Sequence, residues 1–210
     1  MDFSELKSNL ELNGETENFV LYGVSKTDFT EELKEELENH VKRIRMVFSF
    51  GNLPHKIQYC YVNSEQMERY SGNNHSKGRA NLDENGVVSV YKFHPHEITH
   101  AIMFQNLGRP HPFFEEGVAV LFGWSSVDGM ALWKQKPLEY WKNKRNESEN
   151  LNFEKIFDLF STLPQDISYP FAGSAVETII KQNGVEKFKK IYMSLNAVTR
   201  YMQVSKLIVS

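Results

Sequence analysis

The chain has 210 residues, of which 40% are hydrophobic, and its formal net charge is −3. This length and apolar content are enough for one sizeable core, or for two small lobes that share a cleft. The slightly acidic balance, with no basic patch, argues against nucleic acid as a partner. The sequence also contains no apolar run of about 18 residues, so it predicts no transmembrane segment.

Two features bear on the cellular compartment and on redox chemistry. Cys60 is the single cysteine, which excludes both an intrachain disulfide and a zinc–thiolate cluster. Residues 1–18 are polar and lack the apolar core of a secretion signal. The sequence as written therefore predicts a cytoplasmic protein, and a secreted one if a signal peptide was trimmed from it.

The first half of the chain is predicted to alternate strands with helices. Residues 19–22 and 57–62 are predicted strands, and residues 64–70 a short helix. A long helix is expected between the two strands, with Asp28 and Glu31 as its capping box. The apolar residues that follow one face of this helix are Leu33, Leu37, Val41, Ile44 and Phe48.

A β-hairpin is predicted next in the chain. Asn85-Gly86 is a strong turn signal, and it lies between predicted strands at residues 79–82 and 87–92. The hairpin either only completes the sheet or exposes an edge that binds an extended peptide by backbone pairing. In the second case residues 78–81 would lie nearest to the peptide.

The segment His96-Glu97-Ile98-Thr99-His100 carries most of the functional information. Two imidazoles four residues apart lie on one face of a helix, so both can reach one metal ion. This H-E-x-x-H arrangement is that of zinc peptidases, in which Glu97 would be the general base. Pro95 suits the first helical turn and Gly108 the left-handed position after the last, which predicts a helix over Pro95–Leu107. The alternative is a surface helix that carries these residues by chance.

A catalytic zinc site needs a third protein ligand and an open position for water. Met103 and Asn106 stand where the metzincin pattern requires Gly and His, so that class is excluded. A carboxylate pair, Glu115 and Glu116, follows and opens an apolar run of helical length. These two residues are the candidates for the third ligand.

The motif at residues 96–100 is followed by Phe-Phe-Glu-Glu-Gly-Val-Ala at residues 113–119. Together these two segments resemble the gluzincin peptidases, whose second helix carries a Trp/Phe-x-x-Glu-Gly-x-Ala signature. In that family the Glu before the Gly is the third zinc ligand. The resemblance therefore implies Zn²⁺ held by His96, His100 and Glu116, with Glu115 as the competitor. The spacing from His100 to Glu116 is shorter than in the aminopeptidase branch, which leaves the subfamily open.

Small residues in the second helix suggest how it packs. Gly117 and Ala119 would let this helix approach the motif helix closely enough for a carboxylate to reach the ion. In peptidases of this type, the strand before the motif helix usually lines the cleft, which would place residues 78–81 nearest to the substrate; the sequence identifies no substrate-binding residue among them.

The C-terminal third also resembles the small MA-like peptidase domains, through residues 168–176. A Tyr or His from this region often stabilises the oxyanion in that family, which makes Tyr169 the candidate. The alternative is a half-buried Tyr that anchors the segment. Between residues 124 and 150, Trp124, Trp133 and Trp141 lie in a polar setting and predict either a small satellite helix or a wall beside the substrate. Helical core positions are expected at Val176, Ile179, Ile180, Phe188, Ile191 and Tyr192.

These observations predict a single α+β, zincin-like domain. Its N-terminal lobe, about residues 18–108, would contain a small mixed sheet and the motif helix, and its C-terminal lobe, residues 109–210, would be mostly helical. The expected function is zinc-dependent hydrolysis of peptide bonds in a peptide or protein substrate, with Glu97 as the general base. The alternatives are a catalytically silent binding or regulatory module with this fold, and a zinc hydrolase that acts on a non-peptide amide.

Overall fold

The computed structural model describes residues 1–123, 160 and 163–195. In these residues the chain is a mixed α+β protein with a five-stranded sheet, which confirms the expected α+β class. The chain divides into two compact units, Met1–Asn106 and Leu107–Ser210. The first unit includes residues 1–17, which lie outside the lobe expected from the sequence.

The first unit contains the whole sheet. Its elements in chain order are α1 (Phe3–Ser8), β1 (Glu11–Glu15), β2 (Phe19–Gly23), α2 (Glu31–Phe48), β3 (Ile57–Tyr61), α3 (Ser64–Ser71), β4 (Gly78–Asn81), a 3₁₀ turn (Leu82–Glu84), β5 (Gly86–Ser89) and α4 (Pro95–Leu107). Helix α1 and strand β1 were not predicted, because the N-terminal segment is polar overall. Two buried side chains, Phe3 and Leu6, nevertheless anchor α1 to the core.

The strands lie in the order β1-β2-β3-β5-β4. The three inner strands are parallel to one another, whereas the edge strands β1 and β4 run antiparallel to their neighbours. Parallel neighbours need a crossover, and α2 provides it between β2 and β3. Because the inner strands are covered on their faces, Leu21, Tyr59 and Val88 are fully buried.

Helix α2 has the predicted apolar face but a different start. Five apolar residues along this face were expected to be buried. Leu33 is half-buried, and the other four are fully buried: Leu37, Val41, Ile44 and Phe48. The predicted capping box is wrong, because the N-cap is Thr30, whose Oγ1 accepts a hydrogen bond from the Leu33 N–H at 3.3 Å. The Asp28 carboxylate instead accepts from the backbone N–H of Ser25 at 2.7 Å, within a tight turn.

The predicted hairpin is present, but its connection differs from the expected turn. β4 and β5 pair antiparallel, and Asn85 adopts the left-handed conformation with φ of 52°. A 3₁₀ turn precedes Asn85, so the loop is longer than the two-residue turn that the Asn-Gly pair indicated. Gly86 serves packing instead, since a Cβ there would lie 2.5 Å from the ring of Phe3.

The second unit is helical in its described residues, which are α5 (Pro112–Gly123), α6 (Gln165–Asn183) and α7 (Val185–Ser194). Gly117 explains how α5 packs on α6: a Cβ at this position would lie 2.6 Å from Val176 Cγ2 and 2.7 Å from the Ala172 carbonyl oxygen. Within this unit, Gly117 therefore permits the close packing of α5 on α6, and the expected approach of α5 to the motif helix stays a prediction. The aromatic segment at residues 124–150 lies outside the described residues.

In the part of the chain that the structure describes, none of the helices combines the length and the apolar character that crossing a bilayer requires.

Candidate metal centre

Helix α4 holds the motif and has the predicted bounds. It begins at Pro95 and ends at Leu107, and Gly108 follows in the left-handed conformation with φ of 75°. Ile98 and Ile102 are fully buried and fix the inner face of the helix. A proline start, a buried face and a glycine stop therefore place the two motif histidines on a rigid element.

The two imidazoles of α4 face each other. Their Nε2 atoms are 3.1 Å apart, and the ring planes lie 81° from each other. Nitrogen ligands bind zinc at about 2.0–2.1 Å in tetrahedral geometry, which separates two such nitrogens by about 3.3 Å. The distance between the Nε2 atoms of His96 and His100 is thus close to the distance between two nitrogen ligands of one zinc ion. His100 is 8% exposed and His96 half-buried, so one side of the pair remains accessible.

A carboxylate completes a group that could hold a metal ion. His96, His100 and Glu116 each offer one ligand atom, and these atoms all lie within 4.8 Å of one another. Glu115 is not a member of this group, and the role of Glu116 as the third ligand stays a prediction. Two imidazoles and one carboxylate form a donor set that suits zinc.

His94 packs immediately before the motif on the β5–α4 connection. Its Nδ1 lies 2.9 Å from the Ser89 hydroxyl, which also accepts from the Tyr91 N–H. Its carbonyl oxygen accepts from the Ile98 N–H at 3.2 Å, so the backbone rather than the ring of His94 caps α4. Burial lowers the pKa of His94, the neighbouring motif histidines lower it further, and Glu97 acts in the opposite direction.

Glu97 lies half-buried in the first turn of α4, next to the edge strand β4. A Cβ at Gly78, the first residue of that strand, would be 2.8 Å from Glu97 Cγ and 2.3 Å from His94 Cε1. Only a glycine therefore lets the strand pass this close to the proposed general base. From the sequence, Gly78 was expected only in the segment nearest to a bound peptide, just before the predicted strand, and no packing role was expected for it.

His40 is the second residue near this helix that sequence reasoning missed. It is 4% exposed on the inner face of α2, and its Nε2 lies 3.0 Å from both the Pro95 carbonyl oxygen and Thr99 Oγ1. The signal that could have found it is a histidine in register with the apolar positions Leu37 and Val41 of the predicted helix.

Within the second unit, residues at the start of α5 and in α7 show the environment of Glu116. The N-terminus of α5 is closed by His111, whose Nδ1 accepts from the Phe113 N–H at 3.3 Å. Tyr192 is 1% exposed, which confirms it as a core residue. Its burial raises the pKa of Tyr192 well above the ordinary value, and the carboxylates of Glu115 and Glu116 add to this effect.

Tyr169, the proposed oxyanion donor, lies within α6 and is half-buried. Its ring contacts Phe160 edge-on, with the ring centroids 5.1 Å apart. This contact agrees with an anchoring role for the ring and leaves the role of the hydroxyl as a prediction.

Comparison of the chain with protein-family models, with curated proteins and with solved structures gives no match. The interpretation of the site therefore depends on its own chemistry and on the motif resemblance.

Proposed function

We propose that this protein is a zinc-dependent peptidase of gluzincin type with a zincin-like fold. The observation that carries the proposal is the group of His96, His100 and Glu116, with the two imidazole Nε2 atoms 3.1 Å apart on one helix face. These three residues would hold the ion. When bound, zinc supplies a Lewis acid that polarises the scissile carbonyl and promotes ionisation of a water molecule near neutral pH.

Glu97 is the proposed general base. It follows His96 directly in the first turn of α4 and is half-buried, so it can face a water molecule beside the ligand pair. Its carboxylate oxygen takes a proton from that water as the C–O bond to the substrate carbonyl forms. The same oxygen then gives the proton to the amine nitrogen as the C–N bond breaks.

Two further elements have supporting roles in this proposal. The Tyr169 hydroxyl would donate to the developing oxyanion, as the motif resemblance implies. The edge strand β4 has a partner only on its β5 side in the described sheet, so its backbone is available to pair with an extended peptide. Peptides or proteins are therefore the proposed substrates.

Elemental analysis of the purified protein, paired with a peptide-cleavage assay with and without a chelator, tests the proposal. We expect about one zinc per chain and cleavage that chelation abolishes. Glu97→Gln should keep the metal and lower kcat by at least about 10²-fold, since a positioned base contributes about 10²–10⁴-fold. Tyr169→Phe should lower kcat by about 10²-fold with little change in zinc content.

Glu68→Gln is the matched control, because Glu68 is an exposed helical glutamate of the same unit. Retained turnover in Glu97→Gln, or absence of metal in the wild type, would contradict the proposal. Zinc binding without cleavage of a broad substrate panel would favour the silent binding module. Cleavage restricted to non-peptide amides would favour the third alternative.

A further inference from the structure

His40 connects helix α2 to the first turn of the motif helix. Its Nε2 lies 3.0 Å from the Pro95 carbonyl oxygen and 3.0 Å from Thr99 Oγ1. On the other side of the ring, Arg43 Nη2 lies 3.1 Å from Nδ1. The ring also packs edge-on against Phe93, with centroids 5.9 Å apart. Both nitrogens are therefore occupied by protein groups, so His40 is not available as a metal ligand.

The hydrogen bonds define the protonation state of His40. The Thr99 hydroxyl donates to the Pro95 carbonyl oxygen at 2.7 Å, so toward His40 it can only accept. The Nε2 atom of His40 must then be the donor. Because the Arg43 guanidinium can only donate, Nδ1 must be the acceptor. The ring is thus the neutral Nε2–H tautomer, in agreement with a pKa of His40 that burial and the charge of Arg43 lower to about 3.

The two acceptors have a specific place relative to the proposed ligands. Pro95 precedes His96 by one residue, and Thr99 precedes His100 by one residue. One residue turns an α-helix by about 100°, so the row of Pro95 and Thr99 lies beside the row that carries the imidazoles. A donor that bonds to this neighbouring row fixes both the rotation of α4 about its axis and its position along that axis.

Packing alone does not account for this arrangement. The neighbouring inward positions of α2 are Leu37, Val41 and Ile44, all fully buried, and an apolar residue would fill position 40 at lower desolvation cost. A buried imidazole is tolerated here because each of its nitrogens has a hydrogen-bond partner. Those partners lie on the motif helix and on α2 itself.

We propose that His40 is a positioning residue of the candidate metal centre, which sets the orientation of His96 and His100 through its bonds to Pro95 and Thr99. This inference rests on the proposed function, since it assumes that the two imidazoles bind a metal ion. Groups that hydrogen-bond directly to metal ligands typically contribute 10–100-fold to metal affinity, and a group that acts through the neighbouring residues of the helix should contribute near the lower end of that range.

The test measures zinc affinity by competition with a chromophoric chelator in the full chain. We expect His40→Phe to weaken zinc binding by about 10-fold or more. His40→Gln keeps one N–H donor and one acceptor and should recover most of the affinity. Thr99→Val removes one of the two acceptors and should weaken binding by a few-fold, which provides a second variant if His40→Phe does not fold.

Leu37→Ala is the matched control, because it truncates a buried residue of the same helix face and lowers stability without removing a hydrogen bond. It should lower the thermal midpoint of the apo protein and leave the zinc Kd within about 2-fold of the wild type. The d–d absorption spectrum of the Co²⁺-substituted protein reports ligand geometry directly. It should change in His40→Phe and remain the same in Leu37→Ala.

The outcomes separate this inference from the proposed function. An unchanged zinc Kd and Co²⁺ spectrum in both His40→Phe and Thr99→Val, with normal binding in the wild type, would overturn the positioning role alone. Equal losses of affinity in His40→Phe and Leu37→Ala would also overturn it, since a general loss of stability would then explain the effect. Absence of zinc binding in the wild type would overturn the metal centre and the positioning role together.

Discussion

At the residue scale, the first position of β4 lies against two side chains of the candidate centre. A Cβ at Gly78 would be 2.3 Å from His94 Cε1 and 2.8 Å from Glu97 Cγ, both closer than van der Waals contact allows. Gly78→Ala should therefore displace the His94 ring and the carboxylate stem. A misplacement of about 1 Å can cost about 10²-fold in rate, so we expect kcat/KM for peptide cleavage to fall by about that factor.

Gly51→Ala is the control for this substitution, because nothing lies within 4 Å of a Cβ at Gly51. It should leave kcat/KM and thermal stability unchanged. Equal kcat/KM in the two alanine variants and in the wild type would show that Gly78 does not constrain Glu97.

At the element scale, the packing of α5 on α6 depends on Gly117. An added Cβ would lie 2.6 Å from Val176 Cγ2 and 2.7 Å from the Ala172 carbonyl oxygen, and the second of these is backbone that cannot rotate away. Gly117→Ala gains about 1 kcal/mol of helix propensity but overpacks the interface by about 1–3 kcal/mol, so the steric effect should win. We expect a net loss of about 1 kcal/mol in the free energy of unfolding, measured by urea denaturation.

The double variant Gly117→Ala/Val176→Ala separates the two clashes. Removing the Val176 methyl groups relieves one contact and leaves the Ala172 carbonyl in place. The added Val176→Ala substitution should therefore recover only part of the unfolding free energy that Gly117→Ala loses. A single variant Gly117→Ala that is more stable than the wild type would contradict the packing that the structure shows at this interface.

At the scale of the whole molecule, His40 should make stability depend on pH. Its folded-state pKa is about 3, whereas an ordinary histidine titrates near 6.5, so the unfolded chain binds a proton at a pH where the native protein does not. Stability should therefore rise with pH between about 3 and 6.5, and His40 should contribute up to about 1.4 kcal/mol per pH unit. Urea unfolding at several pH values measures this slope.

His40→Gln removes the titrating group while it keeps a donor and an acceptor, so the slope in this window should become shallower. His75→Gln changes an exposed histidine of the same unit and should leave the slope as in the wild type. If the two variants show the same dependence on pH as the wild type, the neutral, buried state of His40 is wrong.

The sequence by itself determined much of the first unit and of the motif helix, because these features depend on local chemistry. Residues 19–22 and 57–62 alternate or cluster β-formers, and Pro95 and Gly108 mark the ends of α4 wherever the helix packs. The i, i+4 spacing of two histidines fixes their shared face through helix geometry alone. The α+β class follows from the same local patterns.

Tertiary structure decided the features that depend on which atoms meet across the fold. Gly117 is visibly small in the sequence, but only packing shows that the space it leaves is filled by α6. In the sequence, His40 is a single polar residue on an apolar helix face. Its hydrogen-bond partners, Pro95 and Thr99, and the protonation state that follows from them are evident only in the structure. The helix start expected at Asp28 lies at Thr30 instead, because the Asp28 carboxylate accepts from the Ser25 N–H in the preceding turn and forms an ion pair with Lys92, a partner that the local sequence does not reveal.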